Sequence, residues 1–220
     1  DNAWDKVDVF PAITSQTAMT PPRYTGRPWL QEYAQDNVVT FNPQAPDMTS
    51  WRLTIVDSRG KPAVVKQGAG APPASLTWNG RRDEGDPAWP GLIYSYIMET
   101  VDPAGNERTF SGRGFGLPAY RLTGSTEDVL VFSGSELVNT ASGIAMKDFA
   151  RRPLIIETAS WLNQAKGLQA PIEIRATARN SFQAQQLAGL VNDALTGLVS
   201  GDPSRISTVI RVLEDAPDQG

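Results

Sequence analysis

The chain has 220 residues, a net charge of −4 and neither cysteine nor histidine. That balance offers no basic face for nucleic acid and argues against an anionic membrane surface as partner. The two missing residue types exclude disulfides, thiolate nucleophiles, a Ser-His-Asp triad and any Cys- or His-ligated metal. Hydrophobic content of 40% with 20% charge is that of a soluble globular protein, long enough for one large or two small domains. No run of 18 apolar residues occurs, so no helix is expected to cross a bilayer. Nothing in the composition calls for a cofactor.

Residues 1–48 carry a short apolar run, Val7-Asp8-Val9-Phe10, followed by a Pro- and Thr-rich stretch. Pro21-Pro22 and Pro28 oppose a helix before Trp29, and residues 29–39 fit one short helix or an edge strand. The whole segment is expected to be an irregular lead-in that packs on the next domain. From Thr49 the period becomes two. Trp51, Leu53 and Ile55 alternate with Arg52, Thr54 and Val56, which predicts a half-buried strand. Asp57-Ser58-Arg59-Gly60 is a turn, residues 62–66 and 75–78 are further strands, and Asn79-Gly80 opens a polar loop to Pro90-Gly91. The clearest strand runs from Leu92 to Val101, with Leu92, Tyr94, Tyr96 and Met98 on one face. Asp102-Pro103-Ala104-Gly105-Asn106 closes a hairpin onto a returning strand over 107–115. Short strands at this spacing predict a sandwich over residues 49–120.

Past Pro118 the texture changes. Val129 to Phe132 reads as a strand, 136–150 as helical, and 153–166 as a helix begun by Pro153 and ended by Gly167. Residues 172–177 are a strand. Asn180 caps a helix over 181–199, with Gln183 as capping-box partner and Leu187, Leu190, Val191, Leu195 and Leu198 as the buried stripe. Gly201-Asp202-Pro203 ends that helix before a last strand at 206–213. The order β-α-α-β-α-β over residues 125–216 predicts an α/β domain with its helices on one face of a small sheet.

Several motifs carry resemblance. Trp51-Arg52-Leu53-Thr54-Ile55, Asp57-Ser58-Arg59-Gly60, Leu76-Thr77-Trp78-Asn79-Gly80-Arg81, Gly85, Pro90-Gly91, Tyr94-Ser95-Tyr96 and Asp102 to Asn106 form an ordered series. It resembles the FlgD-type immunoglobulin-like domain, with Asn79 where that family often has Asp. The resemblance implies an assembly module of envelope machinery and no chemistry of its own. Farther on, Ile172-Glu173-Ile174-Arg175-Ala176-Thr177-Ala178 and Gly201-Asp202-Pro203-Ser204-Arg205-Ile206 resemble a divergent OmpA-type C-terminal domain. Thr177 is what remains of that family's Gly-His-Thr-Asp motif. Ala178 stands where the family's Asp grips the diaminopimelate amine of peptidoglycan. Gly189 and Leu190 lie near the turn that should carry the Arg for the carboxylate. The resemblance therefore implies a degenerate pocket of Thr177, Ala178, Arg179, Asn180 and Arg205.

Other candidate sites read as structural. Asp83, Glu84 and Asp86, with Asp57 or Asp102, supply oxygens a calcium ion could use, but a solvated turn explains them without a metal. Among the tryptophans, Trp51 and Trp78 fit a core, whereas Trp89 beside Pro90 is the candidate exposed aromatic. Gly112-Arg113-Gly114-Phe115-Gly116 opens no helix and so is no nucleotide fingerprint. Glu99, Glu107, Glu127 and Glu136 show no pattern that pairs two carboxylates across a cleft, and no catalytic residue is assigned.

The expected architecture is thus an all-β immunoglobulin-like sandwich followed by an α+β OmpA-like domain. Two such modules in this order resemble Gram-negative or spirochaete envelope proteins. That resemblance implies a non-enzymatic periplasmic protein whose partners are other envelope proteins. Outer-membrane attachment would come through a signal or lipid preceding Asp1. The alternative is a peptidoglycan-binding anchor of the envelope, or of a motility or secretion complex, in which Arg179, Asn180 and Arg205 replace the missing pair.

Overall fold

The alternation that begins at Ser50 has a direct structural counterpart. In a computed structural model, which describes residues 18–20, 31–33, 37–123, 127–137, 153–164 and 168–217, Ser50–Asp57 forms a strand that buries Trp51, Leu53, Ile55 and Asp57 and turns Arg52 to solvent. The chain order is β1 (Ala18–Thr20), β2 (Gln31–Tyr33), β3 (Val39–Asn42), β4 (Ser50–Asp57), β5 (Pro62–Ala69) and β6 (Leu76–Trp78). There follow β7 (Leu92–Val101), β8 (Glu107–Ser111), β9 (Phe115–Leu117), β10 (Tyr120–Thr123), β11 (Asp128–Val131) and a short α1 (Gly134–Leu137). Helix α2 (Pro153–Gln164), β12 (Ile172–Ala178), α3 (Ser181–Thr196), a 3-10 turn (Pro203–Arg205) and β13 (Ile206–Val212) complete it. The described residues divide into two compact units: β1 with 37–86 and 93–115, and β2 with 87–92 and 116–217.

The first unit is a two-sheet β-sandwich. One sheet has the order β1-β3-β6, and the other β5-β4-β7-β8, with β9 also on β7. Rings cross between the two layers. Phe41 of β3 meets Tyr96 of β7 edge-on at 5.0 Å, and Trp78 of β6 lies 5.3 Å from Tyr94 of β7. Leu53, Ile55 and Met98 fill the remaining space. Each such side chain contributes about 1.5–3 kcal/mol by leaving water.

Both hairpin turns of the larger sheet use one device. Asp57 Oδ1 accepts from the N–H groups of Arg59 (2.8 Å) and Lys61 (3.1 Å), with Gly60 at φ 77°. Asp102 Oδ1 accepts from Ala104 and Asn106, both at 2.9 Å, with Gly105 at φ 85°. The left-handed backbone at the fourth position is what requires glycine there. Asp57 is buried and additionally holds Arg59 through Nε at 2.9 Å and Nη2 at 2.6 Å.

The expectation of an irregular segment through residue 48 needs correction. Val39–Asn42 is a full member of the sandwich, pairing with β1 on one side and β6 on the other. Without β3 the large sheet would expose its Tyr94–Tyr96–Met98 face. The segment was hard to recognise because the isolated run Val38-Val39-Thr40-Phe41 is too short to display a period. The apolar run at residues 7–10 lies outside the described residues, as do Trp4 and Trp29.

In the second unit, β10 pairs antiparallel with β11 and parallel with β2, while β12 and β13 pair parallel through seven residues. The elements from β11 onward follow the expected β-α-α-β-α-β order. They do not share one sheet, however, since the strands fall into β11-β10-β2 and β12-β13. Helix α2 buries Leu154, Ile155, Thr158 and Ala159, of which Leu154, Ile155 and Ala159 cluster with Ala119, Val191, Ala194 and Leu195. The helix expected over 136–150 is described only to Leu137, and Gly167 lies outside the described residues. Helix α3 is the crossover of a β-α-β unit. It is capped by Asn180, whose side chain accepts from Gln183 N at 2.9 Å.

The stripe of α3 differs from the expected one. The helix stops at Thr196, so Leu198 lies beyond it, and Ala184, Ala188, Val191, Ala194 and Leu195 form the buried face. Leu187 and Leu190 are half-buried. Alanines rather than leucines face the sheet because Ala176 and Ala178 of β12 meet Ala184 and Ala188 in one small-residue cluster.

Candidate functional site

The residues of the expected degenerate pocket end the two-stranded sheet rather than surround a cavity. Ala178 is the last residue of β12, opposite Val212, and is fully buried beneath Ala184 and Ala188. A side chain at this position meets helix, not solvent. Thr177 alternates to the opposite face and is half-buried. Asn180 uses its side-chain oxygen on the α3 cap. Arg179 donates from Nε to Ala216 O at 2.7 Å, and Leu213 N donates to Ala178 O at 3.0 Å. Together these bonds clasp the C-terminal turn onto the end of β12.

Arg205 stands at the far end. It immediately precedes Ile206, which pairs with Ile172 at the start of the ladder, and its Nη1 donates to Ala170 O at 2.9 Å. Beside it Gly201 has φ 97°, and a Cβ there would fall 2.6 Å from Leu168 O, so this approach is open only to glycine. At about 3.3 Å per residue, the ladder holds the Cα atoms of Arg179 and Arg205 about 25 Å apart. The two cations do not meet on one carboxylate. The structure brings together Thr177–Asn180 by sequence adjacency alone and leaves Arg205 apart.

The acidic loop of residues 79–86 has a structural use that the sequence reading missed. Asp83 N donates to Ala63 O at 3.0 Å, and Val65 N donates to the Asp83 carboxylate at 3.2 Å. Lys66 Nζ donates to Thr77 O at 2.7 Å. The loop is itself closed by Arg82 N to Asp86 O at 2.8 Å, Gly85 N to Arg82 O at 2.8 Å, and an Arg82–Asp86 ion pair at 3.4 Å. It therefore straps the outer edge of β5, a standard way to keep an edge strand from pairing with another chain. The signal available beforehand was an acid at Asp83 flanked by turn residues, which does not say which strand it reaches. Among the described residues no three acids converge as metal ligands do.

With β5 covered, β8 is the other edge of the larger sheet. Its residues Glu107, Arg108 and Thr109 are exposed. Trp51 and Trp78 are core, as expected, and Trp78 Nε1 donates to Arg81 O at 2.7 Å. Trp89 is half-buried rather than exposed. Trp161 covers the Arg121 guanidinium at 4.9 Å, a cation–π pair inside the second unit. Glu99 faces Arg52 across β4 and β7 at 4.0 Å. Burial raises the Glu136 carboxyl above its ordinary range, partly offset by a hydrogen bond from the Ala119 backbone.

No family model matches the chain, and no curated protein matches it. Among solved structures, it is similar to FlgD of Xanthomonas campestris, a hook-capping protein essential for flagellar assembly. The identity is 19% and the TM-score 0.26, over 39% of this chain and 63% of that one. CopC of Methylosinus trichosporium OB3b shows 17% identity and a TM-score of 0.28 over 47% and 93% of the two chains. A β-glucuronidase of Bifidobacterium dentium shows 12% and 0.28 over 90% and 30%. Likenesses of this size assign no role. The class of protein is defined by the structure itself: a β-sandwich unit and a unit of two small sheets with helices.

Proposed function

We infer that this chain is a non-enzymatic interaction protein of the bacterial envelope, periplasmic in location, whose sandwich docks other envelope proteins along β8. The observation that carries the reading is the asymmetry of the larger sheet: one edge is strapped by the Asp83 loop, and among the described residues no strand pairs with the outer side of β8. Edge pairing with an added strand is an established mode of protein recognition. The FlgD-type motif residues support the same reading. They occupy the two Asp-Gly turns and the Trp78 core, which are positions that build a scaffold and not a catalytic site.

The second unit has no diaminopimelate grip in this reading. Ala178 is sealed, and Arg179 and Arg205 hold carbonyls at opposite ends of β12-β13. The peptidoglycan-anchor alternative, which needs both arginines on one ligand, finds no support in that geometry.

A photo-crosslinking residue in place of Thr109 tests the docking edge in cells. A discrete adduct with an envelope protein, absent when the same residue replaces Glu84 on the strapped side, is the expected result. No adduct, or equal adducts from both positions, would overturn the reading. In parallel, the chain should stay in the supernatant when purified sacculi are sedimented. Retention that diaminopimelate competes away would restore the anchor.

A further inference from the structure

We propose that Asn79 is a latent modification site, closed while its turn is folded and open to non-enzymatic deamidation once that turn loosens. Asn79 is the one asparagine of the chain that precedes a glycine. With no Cβ beside it, the Gly80 nitrogen has the least hindered path to the neighbouring carboxamide. In the reaction a solvent base takes the Gly80 amide proton, and the nitrogen attacks Asn79 Cγ. The new C–N bond forms as the Cγ–Nδ2 bond breaks, and ammonia leaves with a proton returned by the base. Water then opens the cyclic imide at either carbonyl, leaving aspartate or iso-aspartate at residue 79. Water is the only co-reactant, and nothing is oxidised or reduced.

The fold withholds both reacting groups. Asn79 Oδ1 accepts from Arg81 N at 3.1 Å, which fixes the carboxamide in an Asx turn. A flat five-membered imide requires Asn79 χ1 to leave the staggered wells, and a carboxamide held at its oxygen resists that rotation. Gly80 is buried at φ 74°, so solvent has little access to the residue that must give up a proton. Two further bonds tie the same turn down. Trp78 Nε1 donates to Arg81 O at 2.7 Å, and Arg81 Nη1 donates to Gly85 O at 3.0 Å. Trp78 is itself core, so the turn is anchored to the centre of the sandwich. Local opening of this turn is therefore the step that exposes the reactive pair.

The two products differ in what they do to the fold. Aspartate keeps a side-chain oxygen for Arg81 N, with a charge that strengthens the bond. Iso-aspartate routes the main chain through Cβ and Cγ, which inserts one extra atom between Trp78 and Gly80. The oxygen that closed the turn then belongs to the main chain, and the spacing that lets Trp78 Nε1 reach Arg81 O is lost. The loop that begins here carries Asp83, whose carboxylate accepts from Val65 N on the edge of β5 at 3.2 Å. Iso-aspartate at residue 79 therefore loosens the strap at its root, and the change is one-way.

The test is incubation of the whole chain at mildly alkaline pH and body temperature, with residue 79 followed by peptide mass spectrometry and an isoaspartyl methyltransferase assay. A synthetic peptide of residues 74–84 in the same buffer should deamidate at least tenfold faster than the folded chain. Trp78→Phe removes the bond to Arg81 O and should deamidate faster than the wild type. Asp102→Asn weakens the β7–β8 turn instead and should not. After separation by ion exchange, the iso-aspartate form should unfold at lower urea than Asn79→Asp. A folded chain that reacts as fast as the peptide, or an Asn79 inert in both, overturns the proposal. So does equal acceleration by both variants, which would place the guard in global stability. An iso-aspartate form as stable as Asn79→Asp overturns the effect on the strap. Should Trp78→Phe not fold, the comparison of the folded chain with the peptide decides.

Discussion

Two glycines of the sandwich exist because an aromatic ring occupies the place of their side chain. A Cβ on Gly112 would enter the Tyr96 ring, and one on Gly68 would lie 2.9 Å from Trp51 Nε1. Tyr96 has little room to swing aside, because it is buried and its ring meets Phe41 at 5.0 Å. Gly112→Ala should therefore destabilise the protein by about 1–3 kcal/mol, as overpacking does, read as a lower urea midpoint. Gly116→Ala, which meets nothing within 4 Å, is the control. The sequence reading of the 112–116 run, which only excluded a nucleotide fingerprint, had no access to this ring contact. The pH response also belongs at this scale. The Asn106 side chain and backbone hold Asp102 below the ordinary carboxyl value of 3.8. A carboxylate depressed by folding adds stability above its unfolded value, and that stability disappears as pH falls through the folded one. Asp102→Asn should accordingly flatten the loss of stability below about pH 4, measured by urea unfolding at stepped pH.

At the scale of elements, an edge is an opportunity or a hazard according to what lies beside it. β5 is flanked by the Asp83 strap, and removing the carboxylate should both loosen the loop and uncover Val65 N. Asp83→Ala is expected to cost about 1 kcal/mol and to raise concentration-dependent light scattering on gentle heating. Unchanged scattering would show that the strap does not guard the strand. Helix α3 makes a related point. Its apolar stripe was legible as period 3.6, and Val191 and Leu195 of it are buried, but Ala184, Ala188 and Ala194 complete the buried face. The sheet beneath it presents Ala176 and Ala178, and close approach favours small residues on both sides. Of the expected stripe Val191 and Leu195 are buried and Leu187 and Leu190 pack at the margin of the core, so the expected face is shifted toward the alanines rather than replaced.

Considered whole, the molecule interleaves its two units along the chain: β1 and β3 belong to the first, and β2, lying between them in sequence, belongs to the second.

What the sequence determined by itself is local. The period-two strands β4 and β7 bury the residues their alternation predicts. The Asp57 and Asp102 turns are closed by partners within four residues, and Asn180 caps the helix it precedes. Tertiary structure alone decided which strands share a sheet, that β3 completes the sandwich, and that Asp83 reaches β5. It alone set Arg179 and Arg205 at opposite ends of a ladder. Those outcomes depend on contacts between segments far apart in the chain, where the free energy comes from surfaces meeting. No residue's neighbours in sequence record which surface that will be.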